Sequence, residues 1–264
     1  MKLYQVDSFT RHAFKGNPAG VWVGERFPDK GVMQAIAAEM NISETAFIEC
    51  SNNGCRIRYF TPAREVPLCG HATLASAHVL RELGIITEEE LFVLHAPEAD
   101  LPVFVTDSWV KMSFPRYAVS RIEQSACLEP ILGASIKEAF ISENGWVIAR
   151  LFCEEALRNA RPDFQAIQKK NITALIAATT VSDSMDFDYS VRVFCNPEYG
   201  IEEDPVTGAA QCILAPYWSG ELRKTSFYSR QISKRGGEMM INLLPDTVEI
   251  MGQAITVFSI DVLA

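Results

Sequence analysis

Apolar and polar positions along this chain follow two periods, and the switches between them predict the elements. Residues 2–8 alternate, with Leu3, Gln5 and Asp7 set against Tyr4 and Val6, which predicts a strand. Gly20-Val21-Trp22-Val23 predicts a second strand. Val32, Met33, Ile36, Ala37 and Met40 then recur at helical spacing, so a helix is expected over 30–40 with Asp29 as its cap. Ala46–Cys50 and Cys55–Phe60 predict a hairpin joined at the Asn53-Gly54 turn. After Gly70 the residues Ala72, Leu74, Ala75, Ala77, His78, Val79, Leu80 and Leu83 are nearly all apolar or small. A helix hydrophobic nearly all round must be surrounded by protein, and Gly84 closes it. Strands are expected over 91–94, 101–105 and 109–114, and Pro115 marks a lobe boundary.

The second half repeats this grammar. Strands over 138–142 and 145–152 precede a helix over 162–169 with Pro162 and Asp163 in its first turn, then a strand over 174–180. Tyr189–Phe194 is a further strand, the helix after Gly208 is again apolar nearly all round, and strands follow over 225–233, 237–244 and 247–260, the last broken near Gly252. One stretch is written twice. Ile57-Arg58-Tyr59-Phe60-Thr61-Pro62 leads to Glu65-Val66-Pro67-Leu68-Cys69-Gly70-His71-Ala72; Val191-Arg192-Val193-Phe194-Cys195-Asn196-Pro197 leads to Glu203-Asp204-Pro205-Val206-Thr207-Gly208-Ala209-Ala210. Each copy carries an Arg on a strand, a turn, a Glu-x-Pro and a Gly that opens an apolar helix. The expected fold class is α+β: two similar lobes, each a mostly antiparallel sheet curled around one buried helix.

Composition narrows the partners. A net charge of −9 argues against a nucleic-acid surface. No segment approaches the ~20 apolar residues of a membrane span, and residues 1–7 lack the apolar core of a signal peptide. Seven cysteines without paired spacing predict free thiols in a reducing cytoplasm, with Cys50 and Cys55 as cross-strand neighbours rather than metal ligands. Gly-rich phosphate loops and a Cys/His ligand spacing are missing, which points to catalysis without a cofactor, or to no catalysis.

The two copies differ in side chains that do chemistry. Glu44, between a helix and an apolar strand, has Ile42, Ala46 and Phe47 around it; desolvation raises a carboxyl pKa and suits a proton shuttle, while an ordinary capping acid is the alternative. His71 follows the helix-opening Gly70, where it faces a ligand held by the helix dipole or simply packs. Asp204 precedes the second helix as a cleft acid or a plain helix-start acid. Cys69 sits where a thiol pKa can fall, or is a small buried residue; the second copy has Thr207 there, so a racemase with two opposed thiols lacks one. Asn17, in a tight Gly16–Gly20 turn, lines the cleft or serves backbone geometry. Two helix starts facing a shared cleft would give a site with unlike acid/base groups on its walls.

Taken together, Asp7-Ser8-Phe9-Thr10, Gly16-Asn17-Pro18-Ala19, Asn41–Phe47, Phe60-Thr61-Pro62, Leu68–Thr73, Glu203–Gly208 and Ser233-Lys234-Arg235-Gly236-Gly237 resemble the phenazine-biosynthesis PhzF-like family, in the family's order along nearly the whole chain. The resemblance implies a diaminopimelate epimerase-like fold. It has two pseudo-symmetric barrel-like lobes, residues 1–115 with 255–264 returning to them, and residues 116–254, with the site between. It also implies a homodimer, no cofactor, no metal, and proton transfer on a small unsaturated carboxylic acid. Glu44 matches the general acid/base, His71 a substrate-contacting residue and Asp204 the second lobe's acid; Asn17, Gly70, Ala72, Thr207, Gly208 and Ala209 complete the substrate-binding set. Ala209 stands where the family has a Ser, which removes one hydroxyl from the site. A ligand-binding module without turnover, and a thiol epimerase using Cys69, are the alternative readings.

Overall fold

The alternating residues at the start form β1 (Lys2–Ser8) in the computed structural model, which describes residues 2–51, 54–106, 108–169 and 175–263. There follow β2 (Asn17–Gly24), α1 (Lys30–Met40), β3 (Glu44–Ser51), β4 (Gly54–Phe60), β5 (Glu65–Val66), α2 (Gly70–Glu82), β6 (Leu91–His95), β7 (Asp100–Thr106), β8 (Trp109–Pro115) and β9 (Val119–Arg121). Next come α3 (Glu129–Leu132), β10 (Ile136–Ser142), β11 (Val147–Leu151), α4 (Glu154–Asn159), α5 (Phe164–Lys169), β12 (Leu175–Val181), β13 (Tyr189–Cys195) and β14 (Glu203–Asp204). The chain ends with α6 (Gln211–Leu222), β15 (Ser226–Gln231), β16 (Gly237–Leu243), β17 (Thr247–Gly252) and β18 (Ala254–Asp261). It divides into two compact units, Met1–Ser113 with Met251–Ala264, and Phe114–Ile250.

In the first unit β1 lies between β18 and β2, antiparallel to both, and β2 runs parallel to β3. β3 and β4 form the hairpin; its turn residues Asn52 and Asn53 lie outside the described residues. β4 then pairs with β5 antiparallel and β6 parallel. These strands wrap α2, in which every residue from His71 to Leu80 is buried. The small side chains Ala72, Ala75 and Ala77 let strands approach on all sides, and Ser76 Oγ donates to the Ala72 carbonyl at 2.7 Å, so its burial leaves no unpaired hydroxyl. α1 covers the outer face of the sheet, packing Met33, Ile36 and Ala37 on Trp22, Phe47 and Phe60. Phe47 meets Phe60 edge to face with centroids 5.5 Å apart.

The second unit repeats the pattern: β11 parallel to β12, β12 antiparallel to β13, and β13 paired with β14 antiparallel and β15 parallel. Its buried helix is α6. Trp218 stacks on Tyr189 at 5.3 Å, and Tyr189 Oη donates to Gln211 Oε1 at 2.6 Å. Pro216 lies inside this helix and has no N–H to offer the Cys212 carbonyl. That carbonyl accepts from the Tyr117 amide instead, at 3.0 Å, which is how the helix tolerates the proline. The repeat extends to side chains. Arg58 grips Glu65 with Nε and Nη2 at 2.6 and 2.8 Å; Arg192 grips Glu203 with the same atoms at 2.8 and 2.9 Å. Each guanidinium lies over the Phe two residues on, Phe60 or Phe194.

Several expectations need correction. Cys50 and Cys55 are cross-strand partners, as expected, but their Cα atoms are 4.2 Å apart and the sulfurs are bonded, so they are not free thiols. Directly opposed positions on an antiparallel pair bring the two Cβ atoms close enough for that bond. Asn17–Gly20 do not form a turn: they pair with β1, Asn17 opposite Ser8, and the bend is made at Gly16, φ +65°. An alanine Cβ at Gly16 would sit 2.1 Å from the Ser8 carbonyl oxygen, so glycine is needed on both counts. Asp29 precedes α1 but its side chain makes no capping bond. α5 starts at Phe164 rather than at Pro162, and the short helices α3 and α4 carry no periodic signal of their own. Ala174, the first residue of the expected 174–180 strand, lies outside the described residues.

Candidate active site

Glu44 is the first residue of β3, and the parallel pairing of β2 with β3 sets it opposite Ala19, beside the start of β2. The same pairing brings Ser43 to Asn17. Ser43 Oγ lies 3.4 Å from Asn17 Oδ1, 3.4 Å from the Pro18 carbonyl and 3.3 Å from His71 Nε2. Asn17 is fully buried, an uncommon place for a carboxamide that does nothing. His71, in the first turn of α2, has Nε2 3.3 Å from Glu44 Oε2 and Nδ1 3.3 Å from Cys69 Sγ. Carboxylate, imidazole and thiol therefore form a compact cluster, one donor atom of each within 4.8 Å of the other two. The side chains of His71 and Glu44 are 10% and 20% exposed, so the cluster is enclosed yet reachable.

The backbone around this cluster is held by its own hydrogen bonds. Ser8 Oγ donates to the His71 carbonyl at 2.8 Å, and Thr73 Oγ1 donates to the Cys69 carbonyl at 2.7 Å while meeting Tyr59 Oη at 2.6 Å. Burial drives the Tyr59 phenol well above its ordinary pKa despite the Thr73 hydrogen bond, so it stays a neutral brace. Cys69 occupies the N-cap position of α2 and makes no side-chain capping bond. A helix offers no internal acceptor to its first-turn amides, here Gly70, His71 and Ala72, so this end is a ready anion-binding surface.

In the second unit Asp204 ends β14, and its Oδ2 accepts from Thr207 Oγ1 at 2.5 Å. Thr207 N–H donates to Gln231 Oε1 at 3.0 Å, and Gln231 Nε2 donates to the Asp204 carbonyl at 2.6 Å. Ser233 Oγ holds the Pro205 carbonyl at 2.6 Å and accepts from the Gly236 amide at 3.1 Å. The Ser233–Gly237 stretch thus serves as a clamp on the Asp204–Gly208 loop. Gly208–Ala210 is a 3-10 turn that leads into α6, so this helix starts later than Gly208. Gly208 is buried and Ala209 half-buried.

The expected residues thus form two groups. Asn17, Glu44, Gly70, His71 and Ala72 are brought together in the first unit; Asp204, Thr207, Gly208 and Ala209 in the second. Ser43, the link between Asn17 and His71, was not singled out by the sequence, although its place beside Glu44 was a signal. Gln231 carried no signal at all, since its role depends on a strand that returns beside the loop. Cys69 is a buried free thiol whose sulfur lies 3.3 Å from His71 Nδ1.

A family model described as phenazine biosynthesis-like protein, PhzC-PhzF, matches residues 6–260. The chain belongs to the PhzC-PhzF, phenazine biosynthesis-like family. It is 39% identical over 262 residues to a protein named "uncharacterized isomerase" from Halalkalibacterium halodurans, covering 99% of this chain and 98% of the relative. It is 34% identical to the human phenazine biosynthesis-like domain-containing protein, with 97% of each chain covered. A crystal structure of a PhzF-family protein from Enterococcus faecalis superposes with a TM-score of 0.91 at 35% identity, covering 98% and 97% of the two chains. A proline racemase-like structure from Agrobacterium radiobacter, at 13% identity and a TM-score of 0.65, shares the fold alone. The α+β architecture is therefore that of the PhzF and epimerase-like folds, and the family is one of isomerases.

Proposed function

We propose that this PhzF-like protein is a cofactor-independent isomerase that moves a proton along a small unsaturated carboxylic acid, with Glu44 as general acid/base. The observation that carries the reading is the contact of Glu44 Oε2 with His71 Nε2 at 3.3 Å, beside the uncapped first turn of α2. A carboxylate at that place accepts a proton from an activated carbon and returns it to another carbon on the same face. The electron pair left behind moves through the unsaturated system toward the substrate carboxylate. The amides of Gly70, His71 and Ala72 stabilise that charge as it develops, because they point outward from a helix start and need no reorganisation. His71 orients Glu44 and shares the proton traffic, and Asn17 fixes Ser43 behind the ring. Asp204 orients substrate polar groups or shares the proton traffic, and Asn17, Thr207, Gly208 and Ala209 are assigned to substrate binding. The same reading includes action in the cytoplasm and a homodimeric assembly; no helix among the described residues is long and apolar enough to cross a membrane.

The test is incubation with small unsaturated acids in deuterated water. Active enzyme should place solvent deuterium on the substrate, and Glu44→Gln should lower turnover by about 10²–10⁴-fold, the usual worth of one general acid/base. Turnover that never exchanges label, together with full activity in Glu44→Gln, refutes the shuttle. The Cys69–His71 contact favours one competing reading, a thiol base. Under the proton-shuttle reading Cys69→Ser retains turnover, whereas a thiol epimerase loses it.

A further inference from the structure

No spacing along the chain announces a metal site, yet the fold assembles three unlike donors at the start of α2. We propose that Glu44, Cys69 and His71 bind a zinc ion through one carboxylate oxygen, the thiolate sulfur and the imidazole Nε2. One donor atom from each residue lies within 4.8 Å of the other two. Nε2 is 3.3 Å from Glu44 Oε2 and 3.9 Å from Cys69 Sγ. Zinc holds nitrogen and oxygen ligands at about 2.0–2.2 Å and sulfur at about 2.3 Å. At tetrahedral angles those radii set nitrogen about 3.4 Å from oxygen and about 3.5 Å from sulfur. The N···O edge already fits, and the N···S edge needs to close by about 0.4 Å, within the reach of a small χ1 rotation. The sulfur–oxygen edge, within 4.8 Å, closes by rotation of the partly buried Glu44 side chain.

The donor set selects the ion. Thiolate and imidazole together favour zinc over magnesium or calcium, which take oxygen ligands. Three protein ligands leave the fourth tetrahedral position to water or a small anion. The electropositive helix start opposes a cation there by up to about 30-fold in affinity per unit of charge, but the thiolate and carboxylate ligands neutralise the dication. The inference goes beyond the proton-shuttle reading and does not rest on it. Where that reading holds, an occupied site engages the Glu44 carboxylate and silences the shuttle.

The test uses the full chain, stripped with a chelator and kept reduced at Cys69, titrated with zinc sulfate in competition with a chromogenic chelator. One equivalent should bind, weakened ~10-fold or more by Cys69→Ser and by Glu44→Gln. Replacing the exposed thiols, Cys127→Ser with Cys153→Ser, should leave it unchanged. Cobalt(II) bound to the unmutated chain should show thiolate-to-metal charge-transfer absorption, a readout that needs no variant to fold. Absence of stoichiometric zinc binding at micromolar concentrations overturns the proposal. So does a bound equivalent untouched by both site substitutions, or a cobalt complex without the thiolate band.

Discussion

Replacing Glu154 with glutamine removes a buried charge from the second unit. Glu154 opens α4 and is 1% exposed, an expensive place for a carboxylate unless it is fully partnered. It is. Arg230 Nη2 donates to both of its oxygens at 2.9 Å, Ser190 Oγ donates at 2.7 Å and the Asp183 amide at 3.1 Å, and Arg158 reaches it from one turn along the helix. Burial alone would push the carboxyl up; the bonds from Ser190, Arg230, the Asp183 amide and Arg158 overcome it and hold the group at about 2 against an ordinary 4.5. That difference corresponds to about 3 kcal/mol of stability at pH 7, and breaking a buried ion pair from one side costs about 3–5 kcal/mol. The lower figure is expected, because Arg158 and Arg230 can turn toward water when the charge is gone.

The sign is that of a depressed acid. The contribution is complete above the unfolded value near 4.5 and is lost as pH falls through the folded value near 2. About 1 kcal/mol remains at pH 3, so the deficit of Glu154→Gln should shrink by about 2 kcal/mol between pH 7 and pH 3. Urea unfolding of both proteins at the two pH values measures it. Hydrogen exchange of peptides from β12 and β13 at pH 7 locates it, since a chain of two units need not unfold in one step. A deficit below about 1 kcal/mol at pH 7, or an equal deficit at both pH values, refutes the reasoning.

The Cys50–Cys55 bond closes a loop between residues five apart, so in the chain-entropy account it contributes about 2 kcal/mol. Cys50→Ser with Cys55→Ser should lose that amount of stability by urea titration and become insensitive to dithiothreitol; a variant as stable as the parent in oxidising buffer contradicts it. Gly16→Ala combines a positive φ with a Cβ 2.1 Å from the Ser8 oxygen, so it should lose at least ~2 kcal/mol by urea titration and displace Asn17, the neighbour that holds Ser43.

The two buried helices were plain from their composition. A run such as His71–Leu80 has no polar face, and only a sheet wrapped around it satisfies that. The doubled stretch carried the repeated topology down to register: Phe60 pairs with Glu65, and Phe194 with Glu203. Glu44, His71 and Asp204 were visible as odd residues at element starts. Other features had no local signature. The bond between Cys50 and Cys55 depends on Cβ separation across two strands, which residue identity does not encode. The brace by Gln231 exists because β15 runs parallel to β13 and ends beside the Thr207 loop.

By itself, the amino-acid order determined most of the longer helices and strands, that the architecture is duplicated, and which family motifs the chain carries. Those properties follow from periodicity and from residue types at turns, which act over a few neighbours. Tertiary structure alone decided that Ser43, Glu44, Cys69 and His71 touch. Their contact arises from the parallel pairing of β2 with β3 and from the seating of α2 against both, long-range packing that no window of sequence contains.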